Sequence, residues 1–246
     1  MEAEDRSIFR LRNLVKVREK GGACFELRTP FLTIDRGQFV ALVGQSGCGK
    51  STLLDVLALV LRATSAEQFA LRIHRHGHSV WQDVVGLPDP ELADIRRSQI
   101  GYVLQSGGLL PFLTVRENIL LTCRLNGLGE RQAAVDQLAE QLGITDQLSK
   151  KPRHLSGGQR QRAAIARALA HRPPIVLADE PTAAADRHTA VEIRDVFKAL
   201  TRRMGVTLLM VTHDEALIEG AVDRTFEFVV ERLDADRILS TVVERF

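Results

Sequence analysis

The chain has 246 residues, with 33 Lys and Arg against 31 Asp and Glu and a formal net charge of +2 at pH 7. Hydrophobic residues make up 45% and charged residues 26%, ordinary globular proportions that exclude disorder as a description of the whole chain. The near-balanced charge gives no global pull toward nucleic acid or a membrane surface. No apolar run approaches the roughly 18 residues needed to span a bilayer, and the opening Met-Glu-Ala-Glu-Asp-Arg lacks the apolar centre of a signal peptide. Cys24, Cys48 and Cys123 are scattered and odd in number, neither a disulfide framework nor a metal pattern, so a reducing cytoplasm is the expected compartment.

Residues 7–14 and 23–34 read as strand-rich segments split by the turn signal Lys20-Gly21-Gly22. The apolar run 39–43 ends in a glycine-rich loop, and 50–61 reads as a helix, so an α/β unit opens here. Strand candidates follow at 69–73, 80–85 and 102–104, with a short helix at 91–97 after Pro88 and Pro90. Residues 115–148 are helical in pattern, with Val135, Leu138 and Leu142 on one face. A helix is expected over 159–170, a fully apolar and hence buried parallel strand over 175–178, and a helix over 188–202 with Ile193, Phe197 and Leu200 on one face. Another apolar strand spans 206–211, and 225–246 reads as strands with short polar breaks.

The loop after the third strand reads Gly44-Gln45-Ser46-Gly47-Cys48-Gly49-Lys50-Ser51-Thr52. It fits the phosphate-loop pattern G-x-x-x-x-G-K-[ST] in the required setting, after a strand and before a helix. Successive backbone N–H groups can wrap a phosphate only where no Cβ blocks the approach. The helix start adds its unpaired N–H groups and positive dipole end. Lys50 is placed to reach the β- and γ-phosphates, and the Ser51 hydroxyl to coordinate Mg²⁺.

The apolar strand 175–178 ends in Asp179-Glu180, and a parallel strand delivers its C-terminal residues to the ligand edge of its sheet. Asp179 is placed to hold Mg²⁺ and Glu180 to polarise an attacking water. The strand 206–211 ends in Thr212-His213-Asp214, so His213 is a candidate to bond a γ-phosphate or position the water. A further segment, Leu155-Ser156-Gly157-Gly158-Gln159, precedes a helix. Ser156 is a plausible N-cap there, and Gly157 and Gly158 bare the backbone. The residues alone leave two readings open: a second anion site, or a capped helix with a flexible entry.

Taken together and in order, these motifs resemble the ATP-binding cassette (ABC) ATPases over nearly the whole chain. They are the Walker A loop 44–52, Gln105 of the Q-loop, the signature 155–159, the Walker B strand 175–179 with Glu180, the D-loop ending at Asp186, and His213 of the switch. The resemblance implies an α/β fold: a RecA-like P-loop core with an antiparallel β subdomain over 1–104 and 160–246, and an inserted helical subdomain over about 105–159. It implies that ATP and Mg²⁺ bind, with Ser51, Gln105 and Asp179 on the metal. Glu180 would be the general base, with Gln105 touching Mg²⁺ and water and His213 the γ-phosphate. Two copies would pack head to tail as a homodimer, so that Ser156, Gly157, Gly158 and Gln159 of one close over ATP held by the other. A separate membrane permease would receive the motion, near an apolar segment with Leu109, Leu110, Phe112 and Leu113; nucleic acid is not an expected partner. Within the family, residues 100–105, 109–111, 113–118 and 177–182 are similar to the lipoprotein-release and macrolide-export type. A force transmitter that moves no cargo, and less so a soluble cassette of DNA repair or translation, are the alternatives.

Two positions depart from the family pattern. The place of the aromatic that stacks on adenine holds Val17 or Arg18, so Arg18, or Phe25 from the next strand, would meet the base. The loop after Walker B reads Ala183-Ala184-Ala185 before Asp186, which implies a looser contact across the dimer and slow hydrolysis by the chain alone. Cys48 lies inside the phosphate loop, where positive potential is expected to lower its thiol pKa. His74, His76 and His78 alternate, so on one strand they would share a face; with no Cys or carboxylate beside them, a solvated strand is favoured over a metal site.

Overall fold

The structure, a computed structural model, describes residues 6–75, 78–129, 131–183 and 185–245. The first half of the chain runs β1 (Ser7–Lys20), β2 (Ala23–Asp35), β3 (Phe39–Val43), α1 (Lys50–Leu57), β4 (Gln68–Arg75), β5 (His78–Asp83), α2 (Asp89–Gln99), β6 (Ile100–Val103) and α3 (Val115–Leu125). It continues through α4 (Gln132–Gln141), α5 (Gly157–Leu169), β7 (Ile175–Asp179), α6 (Arg187–Met204), β8 (Thr207–Thr212), α7 (Glu215–Ile218), β9 (Arg224–Arg232) and β10 (Arg237–Arg245). The strands form one 10-stranded sheet in the order β5-β4-β1-β2-β10-β9-β3-β8-β7-β6. Neighbours within β9-β3-β8-β7-β6 are parallel, and within β5-β4-β1-β2 antiparallel. The two regions join where β10 pairs parallel with β2 and antiparallel with β9.

The central strands β3, β7 and β8 are mostly apolar and buried because both of their faces are covered. Side chains alternate across a strand, so β3 sends Val40 and Leu42 to one face and Phe39, Ala41 and Val43 to the other. The first face packs on Leu53, Leu54 and Leu57 of α1 and Ile95 of α2. The second packs on Ile119 of α3, Val135 of α4, Ile165 of α5 and Phe197 of α6. The register Val43↔Thr212 and Asp179↔Val211 aligns the C-terminal ends of β3, β7 and β8 along one edge.

Most expected elements are present, with shifted ends. β1 extends six residues past the expected 14, carried by cross-strand pairing with β2 out to Lys20↔Ala23. α1 stops at Leu57 instead of 61, because the chain folds back there: Leu59 takes φ 58, and the Val60 and Leu61 N–H groups both bond the Asp55 carbonyl. The helical stretch 115–148 is divided into α3, α4 and a 3₁₀ turn at Thr145–Gln147. α3 opens on a capping box, with Thr114 and Glu117 bonding each other's backbone N–H. Val135, Leu138 and Leu142 are buried together as the periodicity predicts. The short α7 was not expected; Asp214 caps it by accepting from the Leu217 N–H at 3.1 Å. His74 and His78 do not share a strand, since they lie on β4 and β5, and His76 lies outside the described residues. Among the described residues no group of three His, Cys, Asp or Glu forms a metal cluster.

Gly101 of β6 sits so close to α5 that a Cβ there would stand 2.3 Å from the Ala168 carbonyl oxygen. Backbone cannot yield as a flexible side chain does, so Gly101→Ala is expected to destabilise the fold by about 1–3 kcal/mol, read by thermal or urea melting. Arg224 forks onto Glu244 at 2.7 and 2.6 Å and reaches the Thr33 carbonyl at 2.6 Å, tying β9, β10 and β2 together. The hydrogen bonds from Arg224 hold the Glu244 carboxyl below its usual pKa. That stabilisation is complete above the unfolded carboxylate range and is lost as pH falls through the lower folded value. Glu244→Gln should therefore cost about 1 kcal/mol at pH 7, and melts of the two proteins should converge only as pH falls below the usual carboxylate range, through the lowered folded value.

Candidate active site

The glycine loop 44–52 leaves the C-terminal end of β3 and runs into α1. Its last residue before the helix, Gly49, has φ 102 and makes no side-chain cap, so the first N–H groups of α1 are left bare toward the edge of the sheet. A Cβ on Gly49 would also meet the Phe25 ring at 2.8 Å. Lys50 is buried and donates to the Gly44 and Gln45 carbonyls at 2.7 and 2.9 Å, arching over the loop. The loop is braced from the C-terminal strand, where Ser240 of β10 donates to the Cys48 carbonyl at 2.7 Å.

Two carboxylates meet this loop from β7. The Ser51 hydroxyl donates to Asp179 Oδ1 at 2.9 Å, and the Gln105 amide donates to Glu180 Oε2 at 3.1 Å. Burial pushes the Asp179 carboxyl up, offset in part by the Ser51 hydrogen bond. Glu180 has φ 41, a left-handed conformation rare for a residue with a side chain. Strict strand alternation would send Asp179 and Glu180 to opposite faces; the turn at Glu180 brings both to the same edge. From β8, His213 Nδ1 stands 3.6 Å from Glu180 Oε1. The Ser51 hydroxyl and the Asp179 carboxylate form a hard oxygen pair of the kind that suits a magnesium ion.

Arg18, Phe25, Lys50, Ser51, Gln105 and Glu180 line one cavity of about 830 Å³, with Ser46, Gly47, Gly49 and Thr52 of the loop. Arg18 and Phe25 are cross-strand partners on β1 and β2, and the Arg18 guanidinium donates to the Thr52 hydroxyl at 3.2 Å. His213 instead lines a smaller cavity of about 220 Å³ that shares Glu180. Ser156, Gly157, Gly158 and Gln159 line neither cavity. There Ser156 caps α5 in a reciprocal box with Gln159, at 3.2 and 3.0 Å. A Cβ on Gly158 would meet Thr189 of α6 at 2.9 Å, so this turn packs against the start of α6. Asp186 caps that helix: it accepts from the Thr189 N–H at 3.0 Å and hydroxyl at 2.7 Å, which hold its carboxyl below the usual range.

One expectation is reversed. The Cys48 thiol is pushed up, not down, because burial outweighs the Lys50 ammonium. It is 3% exposed and sits 4.0 Å from Lys50 Nζ, under the loop and closed off from solvent reagents. Some contributors had no sequence signal of their own. Ala235, Asp236 and Ile238 of the C-terminal hairpin wall the larger cavity, because β10 pairs with β2 in the register Ile238↔Phe25. The Tyr102 hydroxyl donates to Asp55 of α1 at 2.7 Å, bracing β6 against the helix behind the loop. Among the described residues no helix is long and apolar enough to cross a membrane.

Known proteins resemble this chain in sequence and fold. The sequence profile described as "ABC transporter" matches residues 27–183. The lipoprotein-releasing system ATP-binding protein LolD of Porphyromonas gingivalis is 38% identical over 206 residues, 83% of this chain and 90% of that protein. The methionine import ATP-binding protein MetN of Rhizobium johnstonii is 38% identical over 228 residues, 92% of this chain and 59% of that protein. Among solved structures, the dimeric post-hydrolysis state of the cassette MJ0796 bound to ADP and Pi superposes with a TM-score of 0.78 at 34% identity, covering 89% of this chain and 94% of that one. The chain thus belongs to the ABC transporter family as an ATP-binding cassette with ATPase activity.

Proposed function

We propose that the chain is the ATP-hydrolysing subunit of a bacterial transport complex, closing head to tail on ATP as a homodimer to drive a separate membrane permease. The observation that carries this reading is a separation: Lys50, Ser51, Gln105 and Glu180 line one cavity, while the Ser156–Gln159 turn, a second helix start suited to an anion, stands off it. A second copy supplies that turn across the nucleotide. The dimeric MJ0796 cassette bound to ADP and Pi supports the same arrangement.

In this mechanism the bare N–H groups of α1 and Lys50 take the phosphate oxygens, which replace the Gly44 and Gln45 carbonyls as partners of the ammonium. Arg18 and Phe25 hold the adenine. Ser51, Asp179 and Gln105 would hold Mg²⁺, which would supply charge neutralisation at the phosphates. Glu180 takes the proton from the attacking water, Gln105 orients that water, and His213 contacts the γ-phosphate and steadies Glu180. Ser156, Gly157, Gly158 and Gln159 act on the nucleotide of the partner copy, with Asp186 at the crossing. Residues 1–104 and 160–246 form the core and β part, and about 105–159 the helical part that meets the permease. Phe112, 67% exposed, offers an apolar contact there. The permease holds the subunit peripherally on the cytoplasmic face of the inner membrane.

Export of lipoproteins or other lipophilic substrates is the favoured work, supported by the coverage of LolD at both ends of the match. A methionine-import protein matches at the same 38% identity, so cargo and direction lie with the permease.

Glu180→Gln should bind ATP, lose about 100-fold or more in turnover, and elute as a dimer in ATP but not in ADP. A variant that stays monomeric in ATP on size exclusion overturns the head-to-tail reading. From native membranes the trapped variant should co-purify one multi-span protein; recovery of ribosomes or DNA instead would replace the transport reading. The unaccompanied wild-type chain is expected to turn over below about 10 per second, a typical enzyme value, in a steady-state phosphate-release assay.

A further inference from the structure

Gln105 occupies a corner of a turn, closed by a hydrogen bond from the Gly107 N–H to the Leu104 carbonyl at 2.8 Å. What fixes the base of this turn comes from another element. Arg167, near the end of α5, donates through Nη2 to the Gly107 carbonyl at 3.0 Å and through Nη1 to the Gly108 carbonyl at 2.6 Å. Both glycines have positive φ, 74 and 59, and one planar guanidinium reaches both carbonyls as a fork. The backbone of Arg167 is itself tied to α3, since its carbonyl accepts from the Thr122 hydroxyl at 2.9 Å.

The electrostatics of Arg167 are unusual for a structural residue. Burial is the one influence that moves its guanidinium, pulling it below the usual value, and no carboxylate shifts it back. A largely buried cation answered by backbone carbonyls in place of an acid is costly to keep. A neutral side chain of the same length would fill the space at less expense in solvation. The fork, however, spans the last residue of the Gln105 turn and the one after it, and no neutral aliphatic side chain can hold both carbonyls.

We infer that Arg167 is a positioning residue for ATP hydrolysis: by clamping Gly107 and Gly108 it fixes the turn that presents Gln105 to Glu180. This rests on the roles of Gln105 and Glu180 proposed above. Along the length of α5 it links the Ser156–Gln159 turn, proposed to act on the partner copy's nucleotide, to Gln105 at its own copy's site. Arg167 also lines a groove of about 330 Å³ with Tyr102, Thr122, Leu125 and Asn126, so a segment seated in that groove touches the residue that holds the turn.

The test is a double-mutant cycle on the full chain, reading kcat and KM for ATP with Mg²⁺. Arg167→Met keeps an unbranched apolar stem and removes the donors; Arg167→Lys keeps the charge but not the fork. Arg167→Met should lower kcat about tenfold or more with KM within about twofold, and Arg167→Lys should recover part of the loss. In a Gln105→Ala background the same Arg167→Met change should cost less than about twofold, because the residue acts through Gln105. An equal loss in both backgrounds, or a loss that follows a fall in melting temperature, overturns the inference and leaves the site reading standing. A Gln105→Ala enzyme as fast as wild type overturns the site reading itself, and this inference with it.

Discussion

Everything at the active edge depends on the parallel pairing of β3, β8 and β7. Parallel strands in register end at the same height, and the pairs Val43↔Thr212 and Asp179↔Val211 bring residues from three distant stretches to one line. The strands can pair this way because both of their faces are buried, by α1 and α2 on one side and α3, α4, α5 and α6 on the other. A slip of one residue in any of these pairs would exchange the faces of a whole strand and move its terminal carboxylate or histidine away from Lys50.

Around that edge the chain departs from regular conformation where the chemistry is concentrated. Glu180 takes a positive φ, which costs of order 1–3 kcal/mol for a side-chain-bearing residue and is held by its N–H bond to the Val211 carbonyl at 3.1 Å. In return, two successive acids reach one edge and meet different partners. Asp179 meets the Ser51 hydroxyl, and Glu180 lies between Gln105 and His213. The loop itself relies on distant support: Ser240 under Cys48, Phe25 over Gly49 and Arg18 on Thr52 come from three other strands.

α5 connects the parts of this machine. Its N-terminus is the capped glycine turn, its middle packs against the sheet, and its far end holds the Gln105 turn through Arg167. Gly101 lets β6 lie against its last turn. A stiff helix with a capped glycine turn at one end and a backbone clamp near the other can transmit a displacement without changing its own hydrogen bonds.

The motifs of the candidate site were largely legible in the sequence, because they are local. The loop 44–52, the acids 179 and 180 and the capped turn at Ser156 are short patterns whose residue types answer directly to phosphate, metal or helix-end geometry, and alternating or continuous apolar runs located β3, β7 and β8. Element ends, the position of His78 on a second strand and the short α7 depended on turns too brief to leave a period. Only the tertiary structure decided that burial raises the Cys48 thiol, that Ala235, Asp236 and Ile238 wall the cavity and that Arg167 grips Gly107 and Gly108. These are relations between segments far apart in the chain. A residue's own type and neighbours carry no record of which distant backbone will be folded against it, and it is that packing which sets solvation, register and the partner of a buried charge.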